Sequence, residues 1–388
     1  MRIGFFVDNY FPYICGVGVS ANNLAKSLRE LGHTVYIITF RIDGFNYPKD
    51  KNLLLLNAHR LPGKKGKDLC LYFNLHYKRC AKKLEKYNLD IIHIQTEFSI
   101  SQIALELSKR QKIPVVYTYH TLWNEYCDNA FKGASKLVYF FMYHIFLERP
   151  LKRSSEIIFP SEKGKDTAKL EKRKIKANAT IYPTMLYPES FEIAKEDEIK
   201  IKKIKEKYQL NGKKVILYLG RVSPEKKIFE LANDISKIMD QNGDVVFLIV
   251  GTGPYYSTLK KEIFRLKHHE KMFFVGQVDN SEVKLYYHLS DIFSTFSSFE
   301  TQGLTYLEAL LSKSLLVVKD DPCLKGLIEN GENGYTIKSH EEYIEEVLKL
   351  LNEDNNEVRE KGFKKALNYS PSNWGKAVEK IYERALQK

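Results

Sequence analysis

Two glutamates, Glu300 and Glu308, bracket a glycine in Glu300-Thr301-Gln302-Gly303-Leu304-Thr305-Tyr306-Leu307-Glu308. The apolar run 292–296 before them reads as a buried strand, and a helix is expected over 306–311. Glu300 then falls in the loop, Glu308 on the helix, and the amides of Gly303, Leu304 and Thr305 at the helix N-terminus. Unpaired N–H groups and the helix dipole favour an anion there. Carboxylates on either side can accept hydrogen bonds from sugar hydroxyls. A capping turn plus a surface glutamate is the plainer alternative. It leaves unexplained why two carboxylates flank a glycine turn at a strand end.

Three further groups follow predicted strands. Gly220-Arg221-Val222-Ser223-Pro224-Glu225-Lys226 follows 215–219. Its Arg221 offers a planar fork of donors and its Lys226 a compact charge, a pairing that suits a diphosphate. Gly16-Val17-Gly18 is expected in a loop between the strand 3–7 and a helix over 21–31. There, glycines would let backbone approach a phosphate, although an ordinary strand–loop–helix turn reads the same way. His120, in Tyr117-Thr118-Tyr119-His120-Thr121, ends the predicted strand 115–119 and can hydrogen-bond a sugar hydroxyl or a leaving phosphate.

Short apolar runs at 3–7, 34–39, 91–94, 115–119 and 156–159 alternate with helix-like segments at 21–31 and 102–109. The runs at 215–219, 245–250, 272–275, 292–296 and 315–318 alternate in the same way with 229–239, 258–268 and 306–311. Such alternation implies parallel sheets covered on both faces, and two series imply two doubly wound α/β domains. The expected division is 1–183 and 184–373, with the helix-like stretch 196–208 opening the second domain. A short amphipathic helix at 374–388 has no place assigned by pattern alone. Ligands of open parallel sheets bind at the carboxyl ends of strands, so the expected site is the cleft between the two domains.

The 388 residues suffice for two domains, and 44% hydrophobic with 28% charged residues excludes a mostly disordered chain. The net charge of +13 is unevenly spread: residues 1–183 hold 30 Lys and Arg against 16 Asp and Glu, the remainder 31 against 32. A basic first half suggests an anionic partner, either nucleic acid or a membrane surface, or else only a lysine-rich soluble surface. No zinc-finger or RNP-type motif supports nucleic acid. Five cysteines (15, 70, 80, 127 and 323) without a CxxC pair suggest free thiols in a reducing compartment. The N-terminus reads as a strand and not a signal peptide, and no apolar run is long enough to span a bilayer.

These residues resemble glycosyltransferase family 4, whose fold is GT-B: two Rossmann-like domains, with retention of anomeric configuration. The likeness spans nearly the whole chain. It is greatest to diacylglycerol glucosyltransferases of low-GC bacteria, resting on residues 5–12 (Phe-Phe-Val-Asp-Asn-Tyr-Phe-Pro), 92–99 (Ile-His-Ile-Gln-Thr-Glu-Phe-Ser), 118–121 and the Thr301-Gln302-Gly303 form of the glutamate motif. The resemblance implies that Arg221 and Lys226 bind the donor diphosphate, Glu300 the transferred sugar and Glu308 the ribose. It implies that the Gly16 and Gly18 segment lies against the phosphates, that Gly303, Leu304 and Thr305 supply amides, that Val278 marks where backbone reads the base, and that His120 contacts the sugar. It places Asp8 on the acceptor side and the helix 374–388 back on the first domain. Two positions depart from the family's pattern: Thr252 replaces an acidic residue in Gly251-Thr252-Gly253-Pro254, and Lys227 stands where glycine is common.

No D-x-D motif bridges a metal. No cofactor is therefore expected beyond the UDP-sugar substrate, and a divalent metal would stimulate without a dedicated site. By the resemblance, the leaving phosphate helps to deprotonate the acceptor on the same face, with positioning and electrostatics doing most of the catalysis. Residues 137–147 carry no Lys, Arg, Asp or Glu, and a basic stretch follows. That suits an interfacial helix presenting Leu137, Phe140 and Phe141, or a helix buried on the first sheet. Lys64, Lys65, Lys82 and Lys83 would add attraction to an anionic leaflet. The expectation is a glucosyltransferase using UDP-glucose and diacylglycerol, peripheral on the inner face of the cell membrane. A soluble-acceptor transferase, a nucleotide-sugar epimerase and a non-catalytic nucleotide-sugar sensor are the competing readings.

Overall fold

The structure, a computed structural model, describes all residues except 12–15, 43, 48, 61–71, 74, 75, 131, 132 and 370, and except the side chains of 59, 60, 72, 73, 129 and 130. It contains two compact units, one of Leu186–Asn368 and the other of the flanking residues up to Met185 and from Tyr369 onward.

The first unit holds a seven-stranded parallel sheet in the order β3-β2-β1-β6-β7-β8-β9. The strands are β1 (Arg2–Phe6), β2 (Thr34–Phe40), β3 (Leu53–Leu56), β6 (Ile91–Ile94), β7 (Val115–Thr118), β8 (Glu156–Phe159) and β9 (Asn178–Ile181), with a separate small hairpin of β4 (His59–Arg60) and β5 (Tyr72–Phe73). Its helices are α1 (Gly16–Glu30), α2 (Tyr77–Leu84), α3 (Ser99–Gln111), α4 (Trp123–Ala130), α5 (Ser135–Met142), α6 (Glu148–Arg153) and α7 (Glu162–Ala168), with a π-helical turn at Tyr143–Leu147 joining α5 to α6.

The second unit is a six-stranded parallel sheet in the order β12-β11-β10-β13-β14-β15. Its strands are β10 (Lys214–Leu219), β11 (Val245–Val250), β12 (Met272–Gly276), β13 (Ile292–Thr295), β14 (Leu315–Lys319) and β15 (Tyr335–Ile337). Helices α8 (Lys195–Lys207), α9 (Ile228–Gln241), α10 (Tyr256–Ile263), α11 (Val283–Leu289), α12 (Leu304–Leu311), α13 (His340–Leu350) and α14 (Asn356–Leu367) surround it. The last helix, α15 (Pro371–Leu386), belongs to the first unit.

The strands read as unbroken apolar runs because both faces of each sheet are covered: all six residues of β11, Val-Val-Phe-Leu-Ile-Val, are buried. The helices read as stripes instead. In α9, Ile228, Leu231, Ala232, Ile235, Ile238 and Met239 are buried at helical spacing. One face of the first sheet packs against α2, α3 and the α5–α6 segment around Ala81, Ile103, Leu107, Leu147 and Leu151. The other face packs against α1 and α15 around Leu24, Leu28, Trp374, Val378 and Tyr382.

Several boundaries differ from expectation. Helix α1 begins at Gly16, so Gly16 and Gly18 lie in its first turns and not in a loop before it. Helix α10 ends at Ile263 and not at 268, after which the chain turns to His268 in left-handed backbone. The edge strands β3, β9 and β15 were missed. The residues of β9 are mostly exposed, so the hydrophobic pattern that reveals a central strand is absent. The units divide after Met185 and Asn368 instead of after 183 and 373, because α15 already starts at Pro371. Among the described residues no helix is long and apolar enough to cross a membrane.

Candidate active site

In the second unit the chain order reverses between β10 and β13, the two strands whose C-terminal loops carry Arg221, Lys226 and Glu300. A reversal parts the following connections to opposite faces and leaves a crevice at the strand ends, which is where open α/β sheets bind ligands. Lys226, in a single 3-10 turn, donates from Nζ to Glu300 Oε1 at 2.5 Å and to Ser297 Oγ at 3.4 Å. Both side chains of this ion pair are largely shielded from solvent.

The loop is fixed from below by Tyr218, which donates to the Arg221 carbonyl at 2.8 Å. Burial lifts the Tyr218 phenol well above its ordinary range; Glu300 and Glu225 add to the rise and Arg221 opposes it. Arg221, Glu225 and Glu300 therefore all act on one buried hydroxyl.

Glu300 leads into α12 through Gly303, whose φ is +74°; a Cβ there would lie 2.3 Å from the Tyr306 ring, so only glycine fits. The N-terminal residues Leu304 and Thr305 are partly exposed. Glu308, one turn on, does not join Glu300. It accepts a hydrogen bond from Tyr287 on α11 at 2.8 Å, and burial raises its carboxyl above the usual range. Backbone bonds lace the neighbouring loops: Gly220 N donates to Val250 O at 3.0 Å, Val222 N to Thr252 O at 3.0 Å, and Gly251 N to Gly276 O at 2.8 Å. Gly251 is required because its Cβ would fall 1.9 Å from Gly220 O. Thr252 thus takes part through its backbone. Val278 sits just beyond β12, half-exposed, in the same group of loops. A concavity of about 390 Å³ in this unit lies at the opposite strand ends, lined by Lys214, Asp291, Leu315 and Arg359, away from all these residues.

In the first unit the order reverses between β1 and β6. His120, beyond β7, lies with Nε2 2.9 Å from Gln95 Oε1, so that nitrogen carries the proton and Nδ1 the lone pair. Burial pushes the His120 pKa down to about 4. Asp8, beyond β1, is 1% exposed. It accepts from Thr96 Oγ1 at 2.6 Å and from Ile100 N at 3.2 Å, which makes it a tertiary cap for α3, whose own N-cap residue Phe98 supplies none. Burial lifts its pKa to about 6 against these hydrogen bonds. Glu97 accepts from Trp123 Nε1 and, at 3.2 Å, from Tyr117 Oη, and burial raises its pKa to about 7.

The structure thus pairs Lys226 with Glu300, holds Arg221 beside them through its backbone, and keeps Glu308 separate. Gly16 and Gly18 start α1, and Gly18 is buried. Lys82 and Lys83 are exposed on α2, and Leu137, Phe140 and Phe141 are exposed on α5. Lys64 and Lys65 lie outside the described residues. Gln95, Glu97, Tyr218, Tyr287 and Ser297 were not singled out from the sequence. A polar residue one or two steps past a buried strand end is the signal that marks Gln95 and Ser297.

The family Glycosyltransferase Family 4 matches residues 14–178, and the family Glycosyl transferases group 1 matches residues 200–366. The chain is 31% identical over 390 aligned positions to an alpha-monoglucosyldiacylglycerol synthase of Streptococcus pneumoniae, covering 100% of this chain and 86% of that protein. The chain belongs to glycosyltransferase family 4. A protein of the same description from Acholeplasma laidlawii is 31% identical over 90% of this chain and 88% of its own length. Among solved structures, Anabaena HepE in complex with UDP-glucose superposes with a TM-score of 0.76 at 16% identity, covering 99% of this chain and 100% of that one. The family 4 fold is GT-B, and the two parallel sheets described above are its two Rossmann-like domains.

Proposed function

We propose that this glycosyltransferase moves glucose from UDP-glucose to 1,2-diacylglycerol with retention of configuration, at the inner face of an anionic membrane. The observation that carries the reading is the Lys226–Glu300 pair at the strand reversal of the second sheet. It sets a cation and a carboxylate side by side at a helix N-terminus, the two charges that a diphosphate and a sugar hydroxyl need. The lipid acceptor is supported by the two relatives that match along most of their length.

In the proposed reaction the diphosphate lies against Lys226, Arg221 and the amides of Gly303, Leu304 and Thr305. These neutralise the charge that grows on the leaving group as the glycosidic bond breaks. Glu300 accepts from hydroxyls of the glucose, Glu308 from the ribose, and Val278 lies where backbone meets the base. In the first unit, burial holds His120 in its neutral form beside Gln95. As the bond from the anomeric carbon to the phosphate breaks, the acceptor's hydroxyl oxygen bonds to that carbon on the same face and the leaving phosphate oxygen takes the hydroxyl proton. No residue is asked to act as a nucleophile and no metal is required.

The test is transfer of radiolabelled glucose from UDP-glucose to diacylglycerol in mixed micelles, with and without anionic lipid and with a chelator in a parallel arm. A labelled glycolipid whose yield rises with anionic lipid supports the reading. Measurable UDP binding without glycolipid moves the acceptor to a soluble molecule, and loss of product on chelation overturns the metal-free mechanism.

A further inference from the structure

Helix α5, the π-helical turn and α6 form one continuous helical segment with two unlike faces. Its inner face is fixed: Tyr143, Leu147, Pro150 and Leu151 are buried. Arg173 pins it from behind, donating to Tyr139 Oη at 2.5 Å and stacking 3.7 Å from the centre of the Tyr143 ring. Its outer face is not covered. Leu137, Phe140, Phe141 and Ile145 are 60%, 56%, 52% and 51% exposed, at positions that share one side of a helix. Residues 137–147 therefore have one face in the core and one in solvent.

Four large apolar side chains held outward by a packed inner face mark a surface that meets something apolar. Its charge identifies the partner. Exposed Lys136, Arg149, Lys152 and Arg153 border the apolar patch. The acid on this stretch is Glu148, which accepts from Lys152 at 2.6 Å and lies 2.8 Å from His144 Nδ1. The basic helix α2, with exposed Lys82 and Lys83, packs on the same side of the sheet. A second copy of the chain would bring two such basic borders together.

We propose that the outer face of α5, the π-helical turn and α6 is the membrane-docking surface of this protein, inserting Leu137, Phe140, Phe141 and Ile145 into an anionic bilayer while the flanking lysines and arginines meet phosphate headgroups. This rests on the proposed action at a membrane and assigns the face that makes the contact.

The test is sedimentation with phosphatidylcholine vesicles, with and without 30 mol% phosphatidylglycerol as a working ~30% anionic fraction, using no donor or acceptor. The full-length L137S/F140S/F141S/I145S variant, checked for fold by circular dichroism and for UDP binding, is expected to bind anionic vesicles at least ~10-fold more weakly than the parent chain. The K136Q/R149Q/K152Q/R153Q variant is expected to lose the preference for phosphatidylglycerol. Unchanged binding by the serine variant overturns the assignment. So does a concentration-dependent dimer, seen by sedimentation velocity, that the serine variant abolishes while the parent chain ignores vesicles. Vesicle binding by a chain that makes no glycolipid supports the surface and overturns the proposed acceptor alone.

Discussion

Glu300 and Lys226 are bonded to one another, so each is the partner that a substitution would strand. Glu300→Gln keeps the shape and a hydrogen-bond acceptor but removes the charge that balances Lys226 and accepts from the sugar. A fall in kcat of well over tenfold is expected, ~1.4 kcal/mol or more of lost transition-state stabilisation, with UDP binding retained. Near-parental turnover would remove Glu300 from the reaction. Glu97 gives a prediction about stability. Its carboxyl titrates near 7 in the folded protein against an ordinary value of 4.5. The folded state therefore holds a proton that the unfolded state has lost between those values, and stability falls as pH rises through that window. Asp8, raised to about 6, acts in the same direction. Glu97→Gln should remove up to ~3 kcal/mol of this pH dependence, so that the variant gains on the parent chain between pH 5 and pH 8 in urea melts. Parallel pH profiles for the two proteins would refute it.

At the scale of elements, α15 is the piece whose place the local pattern left open. Its stripe of Trp374, Val378, Ile381, Tyr382 and Ala385 is buried against the first sheet. Tyr382 Oη lies 2.7 Å from His93 Nδ1, and His93 Nε2 lies 2.7 Å from Thr118 Oγ1, so the helix is bonded to β6 and β7 just before they deliver Gln95 and His120. Glu156, fully buried on β8, accepts from Arg384 at 2.9 Å near the end of the same helix. Tyr382→Phe leaves a buried ring nitrogen of His93 without its partner, and should cost ~1–3 kcal/mol in chemical denaturation. A variant as stable as the parent chain would show that α15 is held by its apolar stripe alone.

At the scale of the molecule, the positive excess confined to residues 1–183 and the exposed apolar face of α5 belong to the same unit. If both contact one anionic bilayer, vesicle binding should weaken several-fold as salt rises from ~0.05 to ~0.5 M, because the Debye length shrinks from about 14 to about 4 Å. A residual, salt-resistant part should remain, contributed by the aromatic and aliphatic side chains. Binding indifferent to salt would make the charge excess incidental.

The α/β class, the two series of parallel strands and the catalytic candidates at their ends were all legible in the sequence. A strand buried on both faces has to be apolar throughout, and a glycine at φ +74° beside a tyrosine ring tolerates no substitute, so both leave a local mark. It could not show that Lys226 bonds to Glu300, 74 residues away, that Asp8 caps a helix beginning at Ser99, or that Glu97 is buried between Trp123 and Tyr117. Nor could it show that residues 137–147 have one face in the core and one in solvent. Those facts depend on which strand ends become neighbours and which side of a helix finds a sheet. Only the closing of the sheets brings such distant groups within a few ångströms.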